Sequence, residues 1–323
     1  MMHRLSCVLL AILFSLAPAR AGEDAAQAFQ HLLDGEYDAA FEKASVLAEA
    51  GDADGEHLLG YLYENGLGTQ KDVQQALTLY AKAARAGQPD AQFALGELAF
   101  AGEGVQQNAA TAAGWYKLAA RHGHARAKLR LGVMYAEGDG VTADKARAIS
   151  LFREAAAAGE AEAQRNLAIA YLSGDGVSKN TQEAAMWFEK AAEADDPVSH
   201  YNLALLKQSG VVPSDGTPAP EHMRKGAEAG FPPALVGYGL MIHDGAAQAD
   251  GLSPADLFQR AAEAGDPQGM FLYAVSLAEG DGRDQDKAGA LALLDDLLAQ
   301  PELLDAPLRQ NVESLKKRLQ RRR

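Results

Sequence analysis

The stretch "YAEGDGVTADKARAISLFREAAAAG", residues 135–159, is followed by "YLSGDGVSKNTQEAAMWFEKAAEAD", residues 171–195. A tyrosine, two glycines, an apolar-aromatic pair and an Ala-Ala doublet keep their places while almost everything else drifts. The pattern extends in both directions. Leu59-Gly60, Leu95-Gly96, Leu131-Gly132, Leu167-Ala168 and Leu203-Ala204 are spaced by 36 residues, and Tyr238-Gly239 and Tyr273-Ala274 continue at 35. A second marker, Gly51, Gly87, Gly123, Gly159, Asp195, Gly230 and Gly265, runs at the same intervals. Such a period signals a repeat array, in which one unit cannot bury its apolar face alone but a stack can. The fixed positions are those that packing needs, and the drifting ones face solvent or a partner.

Each unit predicts two helices. In the first, small and apolar residues such as Ala91, Leu95, Leu98 and Ala99 recur at helical spacing. It stops at a glycine pair: Gly66/Gly68, Gly102/Gly104, Gly138/Gly140, Gly174/Gly176 or Gly280/Gly282. The second helix opens at turn-type caps such as Asp72, or Ser253 before Pro254. It carries Leu79-Tyr80, Trp115-Tyr116, Leu151-Phe152, Trp187-Phe188 or Leu257-Phe258, and then an alanine doublet such as Ala119-Ala120. The alanines let helices approach closely, and the aromatics fill the space between them.

The motif A-x-x-x-L-G-x-x-Y-x-x-G-x-G-V, followed by A-x-x-W-[FY]-x-K-A-A-x-x-G, resembles the Sel-1-like repeat, a relative of the tetratricopeptide repeat. It is best preserved at 91–123, 127–159 and 163–195, and the resemblance covers roughly 55–300. It implies an all-α fold: a right-handed α/α superhelical solenoid of about seven helix pairs, with the first helices lining a concave face. It implies no catalysis of its own. Residues 22–54 are expected to form N-terminal capping helices, and 301–323 a C-terminal amphipathic cap carrying Leu308, Val312, Leu315 and Leu319. Pro213, Pro218 and Pro220 in the fifth unit, and "HDGAAQADGLSP" in the sixth, predict irregularity between 209 and 255.

Residues 1–21 read as a secretory signal. Arg4 precedes an apolar run from Leu5 to Leu16, too short to span a bilayer comfortably, and Ala19-Arg20-Ala21 supplies a cleavage site. The expected location is the periplasm, with Gly22 as the mature N-terminus. Cleavage removes Cys7, the sole cysteine, so no disulfide or thiol chemistry is expected. It also removes Arg4 and Arg20, making a chain of formal charge -14 two units more negative. That excludes a general nucleic-acid binder. The final "KKRLQRRR" nonetheless holds six basic residues and no acid, and is expected to make weak contact with a membrane surface or an acidic protein.

Two groups of residues stand out. The inward register of the resembled repeat gives a row along the first helices: His57/Tyr61/Glu64, Phe93/Glu97/Phe100, Leu129/Val133/Ala136, Arg165/Ile169/Leu172, Tyr201/Leu205/Gln208, Val236/Leu240/His243 and Phe271/Val275/Ala278. Tyr61, Phe93, Glu97, Phe100, Arg165, Tyr201 and Phe271 are the candidate partner-binding residues, with Phe93, Phe100 and Tyr201 as anchors and Arg165 as a polar clamp. The same row read as core, hidden by tight curvature, is the equal alternative. Arg121, His122, His124, Arg126, Lys128 and Arg130 form a basic cluster at a helix start. They read as an anion site or as a solvated turn balancing nearby acids.

No metal, cofactor or catalytic set is expected. Two histidines lack a third zinc ligand, the Asp-Gly turns lack a calcium loop's distal glutamate, and no nucleophile–base motif appears. The reading is a secreted scaffold or adaptor that binds a protein or peptide in its groove. Resemblance to periplasmic repeat proteins that restrain a membrane sensor kinase, in exopolysaccharide-type control, gives one alternative. A β-lactam or cell-wall directed hydrolase is the alternative of another class.

Overall fold

The structure is a computed structural model, and it describes residues 22–212, 216–249 and 251–321. The leader with Cys7, Pro213 of the fifth unit, and Arg322 and Arg323 of the tail lie outside the described residues. Within them are seventeen α-helices, one short 3-10 turn at Pro301–Leu303, and no strand. The chain divides into two units, residues 1–163 and 164–323.

The first unit opens with α1 (Glu23–Leu33) and α2 (Tyr37–Glu49). Three helix pairs follow: α3 (Ala53–Asn65) with α4 (Val73–Arg85), α5 (Pro89–Ala101) with α6 (Ala109–Arg121), and α7 (Ala125–Glu137) with α8 (Lys145–Ala157). Each helix packs on its predecessor within this unit. The second unit holds all but the start of α9 (Ala161–Ser173), then α10 (Thr181–Glu193), α11 (Pro197–Gln208) and α12 (Ala219–Glu228). After them come α13 (Pro232–His243), α14 (Pro254–Glu263), α15 (Pro267–Glu279), α16 (Lys287–Leu298) and α17 (Ala306–Arg321).

Polar caps start most of the repeat helices. The side chains of Asp52, Asp72, Gln88, Asn108, His124, Asp144, Asn180, Ser253, Asp266 and Asp286 each accept a backbone N–H of the first turn. The paired glycines stop the first helices for two separate reasons. The first of each pair, such as Gly102 at φ 77°, is a left-handed C-cap. The second makes room: a Cβ at Gly104 would meet Val73 Cγ1 at 2.6 Å, and one at Gly68 or Gly140 would strike the backbone of α2 or α6. Thus each turn lies against the start of an earlier helix.

The glycine in the middle of the first helix has a different task. A Cβ at Gly60 would stand 2.8 Å from the Tyr80 ring, at Gly132 2.6 Å from Phe152, and at Gly239 2.6 Å from Phe258. The bare backbone is therefore a seat for the aromatic ring of the same pair's second helix. Those rings are almost wholly buried, Tyr80 and Tyr116 to 1 % exposure. Each contributes about 1.5–3 kcal/mol of apolar burial. The alanine doublets beside them, such as Ala83-Ala84 and Ala155-Ala156, are buried as well.

The second unit is less regular where the prolines suggested. α12 and α14 have 10 residues, against 13 for every helix from α3 to α10. α11 ends on Ser209 in a right-handed conformation, and Pro218 opens α12 without a side-chain cap bond. At the far end Val312, Leu315 and Leu319 of α17 are buried, with Leu308 packed beside them. The tail's cations are not all free: Lys316 pairs with Asp295 at 2.5 Å and Arg318 with Glu279 at 2.9 Å.

Substituting two helical glycines tests the ring-seat account. Gly132→Ala should lower unfolding free energy in urea by about 1–3 kcal/mol, because the Phe152 ring must move. Gly114→Ala, in α6 with open space around its Cα, should raise it by about 0.5–1 kcal/mol through backbone entropy.

Candidate functional site

The predicted row lies on the first helices, and the structure sorts it into exposed and buried members. Phe100 is 42 % exposed, Ile169 42 % and Leu205 40 %. Tyr61, Phe93, Glu97, Val133, Arg165, Leu172, Tyr201, Leu240, Phe271 and Val275 are half-buried, and Gln208 and His243 are open. His57, Leu129, Val236 and Ala278 are core. In each unit the row is therefore neither wholly groove nor wholly core.

The half-buried members are occupied by neighbours in a recurring way. Phe93 stacks on His124, ring centroids 4.5 Å apart, and leans on Tyr116 at 5.7 Å. Arg165 Nη1 donates to both carboxylate oxygens of Asp196, at 3.1 and 3.0 Å. Tyr201 meets the edge of Phe231 at 5.6 Å. In all three cases the first residue of the row triplet touches the N-cap residue of the next repeat, once by stacking, once by charge and once edge-on. Glu97 accepts the Tyr116 hydroxyl and takes Arg130 Nη2 at 3.2 Å, linking the second repeat to the third. Glu64 accepts the Tyr80 hydroxyl at 2.6 Å. Burial raises its carboxyl above the ordinary range, against the pull of that bond.

The basic cluster is drawn into the same network. His124 caps α7 through Nδ1 and meets Asp90 through Nε2 at 3.2 Å, while His122 Nδ1 is 3.0 Å from Gln92 Oε1. Lys128 pairs with Glu154 at 2.8 Å and Arg126 with Glu160 at 4.0 Å. Burial alone would raise the Asp90 carboxyl, but the His124 hydrogen bond and the nearby imidazoles hold it below its usual value. So five of the six residues, Arg130 included, engage groups of the first unit. Arg121 stands exposed.

Arg121 borders a feature that sequence reasoning passed over. Thr111, Gly114, Trp115, Lys117, Leu118 and Arg121 line a shallow outward-facing groove of about 500 Å³ on α6. The available signal was Gly114, which stands where the neighbouring repeats carry Thr78, Ser150 and Met186. Without a side chain there, Trp115 and Leu118 flank a gap. Among the described residues no cluster of three or more His, Cys, Asp or Glu could hold a metal ion, and no helix is long and apolar enough to cross a membrane.

The sequence profile of the Sel1 repeat matches seven consecutive segments: 53–88, 89–124, 125–160, 161–196, 197–231, 232–266 and 267–295. Among solved structures, the chain is similar to a protective antigen of uropathogenic Escherichia coli displaying an SLR fold. Identity is 30%, with 86% of this chain and 68% of that chain covered, at a TM-score of 0.54. It is also similar to a Sel1 repeat protein from Oxalobacter formigenes, at 27% identity over 80% of this chain and 99% of that one, with a TM-score of 0.64. No curated protein matches the sequence.

The sorting of the row has a direct measure. Phe93→Ala should cost about 2 kcal/mol in denaturant unfolding, since two ring contacts are lost from a half-buried site. Phe100→Ala should cost less than about 1 kcal/mol.

His57 provides a pH test within the first unit. Burial pushes its imidazole down to about 4 from an ordinary 6.5. Between those values the unfolded chain takes up the proton that the folded chain refuses, so stability is full above pH 6.5 and falls as pH drops toward 4. His57→Phe should reduce the slope of unfolding free energy between pH 5 and 6 by up to about 1.4 kcal/mol per pH unit.

Proposed function

The chain belongs to the Sel1 repeat family, and on that basis we propose that it is an exported scaffold that binds another protein or peptide through its first helices. The observation that carries this reading is the exposure of large apolar residues on the first helices, Phe100 in the first unit and Ile169 and Leu205 in the second. Large apolar side chains left open on a packed helix are surplus to folding, and interface anchors are commonly of this kind. The half-buried Phe93 lies seven residues before Phe100 on α5, and the half-buried Tyr201 four before Leu205 on α11. Arg165, held by Asp196, and Glu97, held by Tyr116 and Arg130, present fixed charge rather than mobile charge.

Export by cleavage after Ala21, and residence in the periplasm, are part of the proposal. The description of the Escherichia coli relative as a protective antigen supports an exported protein. Lys317 and Arg321 on the outer face of α17, with the two arginines after them, are a secondary contact for acidic surfaces.

Photo-crosslinking tests the reading in cells. A photoreactive phenylalanine analogue at position 100, 169 or 205 should capture one partner reproducibly, while the same probe at Thr78, exposed on a second helix, should not. Ile169→Asp or Leu205→Asp should then weaken binding of that partner by about 1–3 kcal/mol. Equal capture from Thr78 would sink the assignment. Nitrocefin turnover by the purified chain would favour the hydrolase instead, and none is expected.

A further inference from the structure

The fifth repeat holds two buried imidazoles face to face. His200 of α11 and His222 of α12 are 3 % and 6 % exposed, and their Nδ1 atoms lie 2.9 Å apart. At that distance one of the two Nδ1 atoms carries a hydrogen and the other accepts it, so a single shared proton ties α11 to α12. His200 Nε2 is buried with no hydrogen-bond partner. The nearest acid to it is Asp195, whose Oδ1 is 3.9 Å away.

Asp195 is unusual in its own right. It occupies the closing turn where the other repeats carry Gly51, Gly87, Gly123, Gly159, Gly230 and Gly265, and it keeps their left-handed backbone at φ 56°. It is the sole non-glycine residue with positive φ among the described residues. L-residues other than asparagine and aspartate rarely adopt such a conformation, and a non-glycine residue is retained there where its side chain has work to do. Here the strained turn sets a carboxylate beside an orphaned imidazole nitrogen.

We propose that the His200–His222 pair is a proton-released catch: neutral, it holds α12 against α11, and protonated, it lets α12 come away. The rings are buried and feel the positive charges of Lys207 and Lys225, so added positive charge is tolerated better once they reach water and Asp195. The charges acting on the pair are Lys225 and Glu221 from α12, Lys207 from α11, and Asp195 and Asp196 from the turn before α11. Lys207 is itself buried and donates to Thr217 O at 2.8 Å. α10, which packs on α11, carries Glu183, Glu189, Glu193 and Lys190, the last over the Trp187 ring; from α13, which packs on α12, the only titratable groups are Tyr238, bonded to Gln248 O, and the exposed His243 beside Asp244. Burial holds both rings below the ordinary imidazole value, His222 at about 4. The wetted pair therefore gains protons first as pH falls below 6.5, and acid favours the open form.

The release is local because the fifth repeat is the least secured. Neither α11 nor α12 has a side-chain N-cap bond, and α12 has 10 residues where the regular second helices have 13.

Hydrogen exchange on the full chain, corrected for intrinsic rates, tests this. Amides of α11 and α12 should lose at least about tenfold protection from pH 7.5 to 5.0, as expected when an opened state binds protons the closed one excludes. Replacing both histidines, His200→Gln with His222→Gln, should abolish that dependence. Asp195→Asn tolerates the left-handed turn but removes the negative charge, so it should shift the transition to lower pH. Long-range imidazole NMR at pH 7.5 reads the catch without any substitution: one of the two rings must be the Nδ1–H tautomer. Two Nε2–H rings titrating near 6.5, or unchanged protection of α11 and α12 at pH 5.0, would overturn the proposal.

Discussion

Everything in this fold depends on how closely the two helices of a pair can approach, and a ring on a bare backbone sets that distance. Tyr80, Tyr116, Phe152 and Phe258 each press into a glycine of the partner helix, where even one methyl group would collide. The glycine costs helix propensity of roughly 1 kcal/mol. The cost is offset because a flat aromatic against backbone fills space without voids and brings the flanking alanine doublets into contact. Where alanine replaces the glycine the second helix varies: Phe188 is kept opposite Ala168, while Met223 and Leu294 share the clusters of Ala204 and Ala274.

Between repeats the rule is looser, and this is where function finds room. One position, the first of the row triplet, always reaches the next repeat's N-cap residue in the three observed cases. The contact is a stack at Phe93–His124, an ion pair at Arg165–Asp196 and an edge-on aromatic pair at Tyr201–Phe231. Packing there asks only that something fill the space and satisfy its polar atoms. The position four or seven residues along is released from that demand, so Phe100, Ile169 and Leu205 can be chosen for what binds them.

The repeat, its helix boundaries and its glycine turns were all legible in the sequence because they depend on local chemistry: caps, left-handed residues and helical spacing. Asp72, Ser253 and the glycine pairs behave as their types require. The row was legible only as a row. Whether Leu129 is core and Leu205 open depends on neighbouring copies some thirty residues away, whose side chains have drifted. Arg165 read as a clamp for a partner because nothing local announced Asp196. The histidine pair was invisible for the same reason: His200 and His222 are 22 residues apart, across the prolines that break the regular spacing. Asp195 alone gave a signal, as the single break in a run of glycines.

The ties between repeats have short reach along the chain. Glu97 finds Arg130, Phe93 finds His124, and Gln74 donates to the carbonyl of Gly104; none of these skips a copy. A protein wired in this way has no keystone. Damage to one copy is felt by its neighbours and fades beyond them, so a lineage could duplicate, delete or redecorate single copies without renegotiating the whole. The drift seen between copies of the opening phrase is the visible record of that freedom.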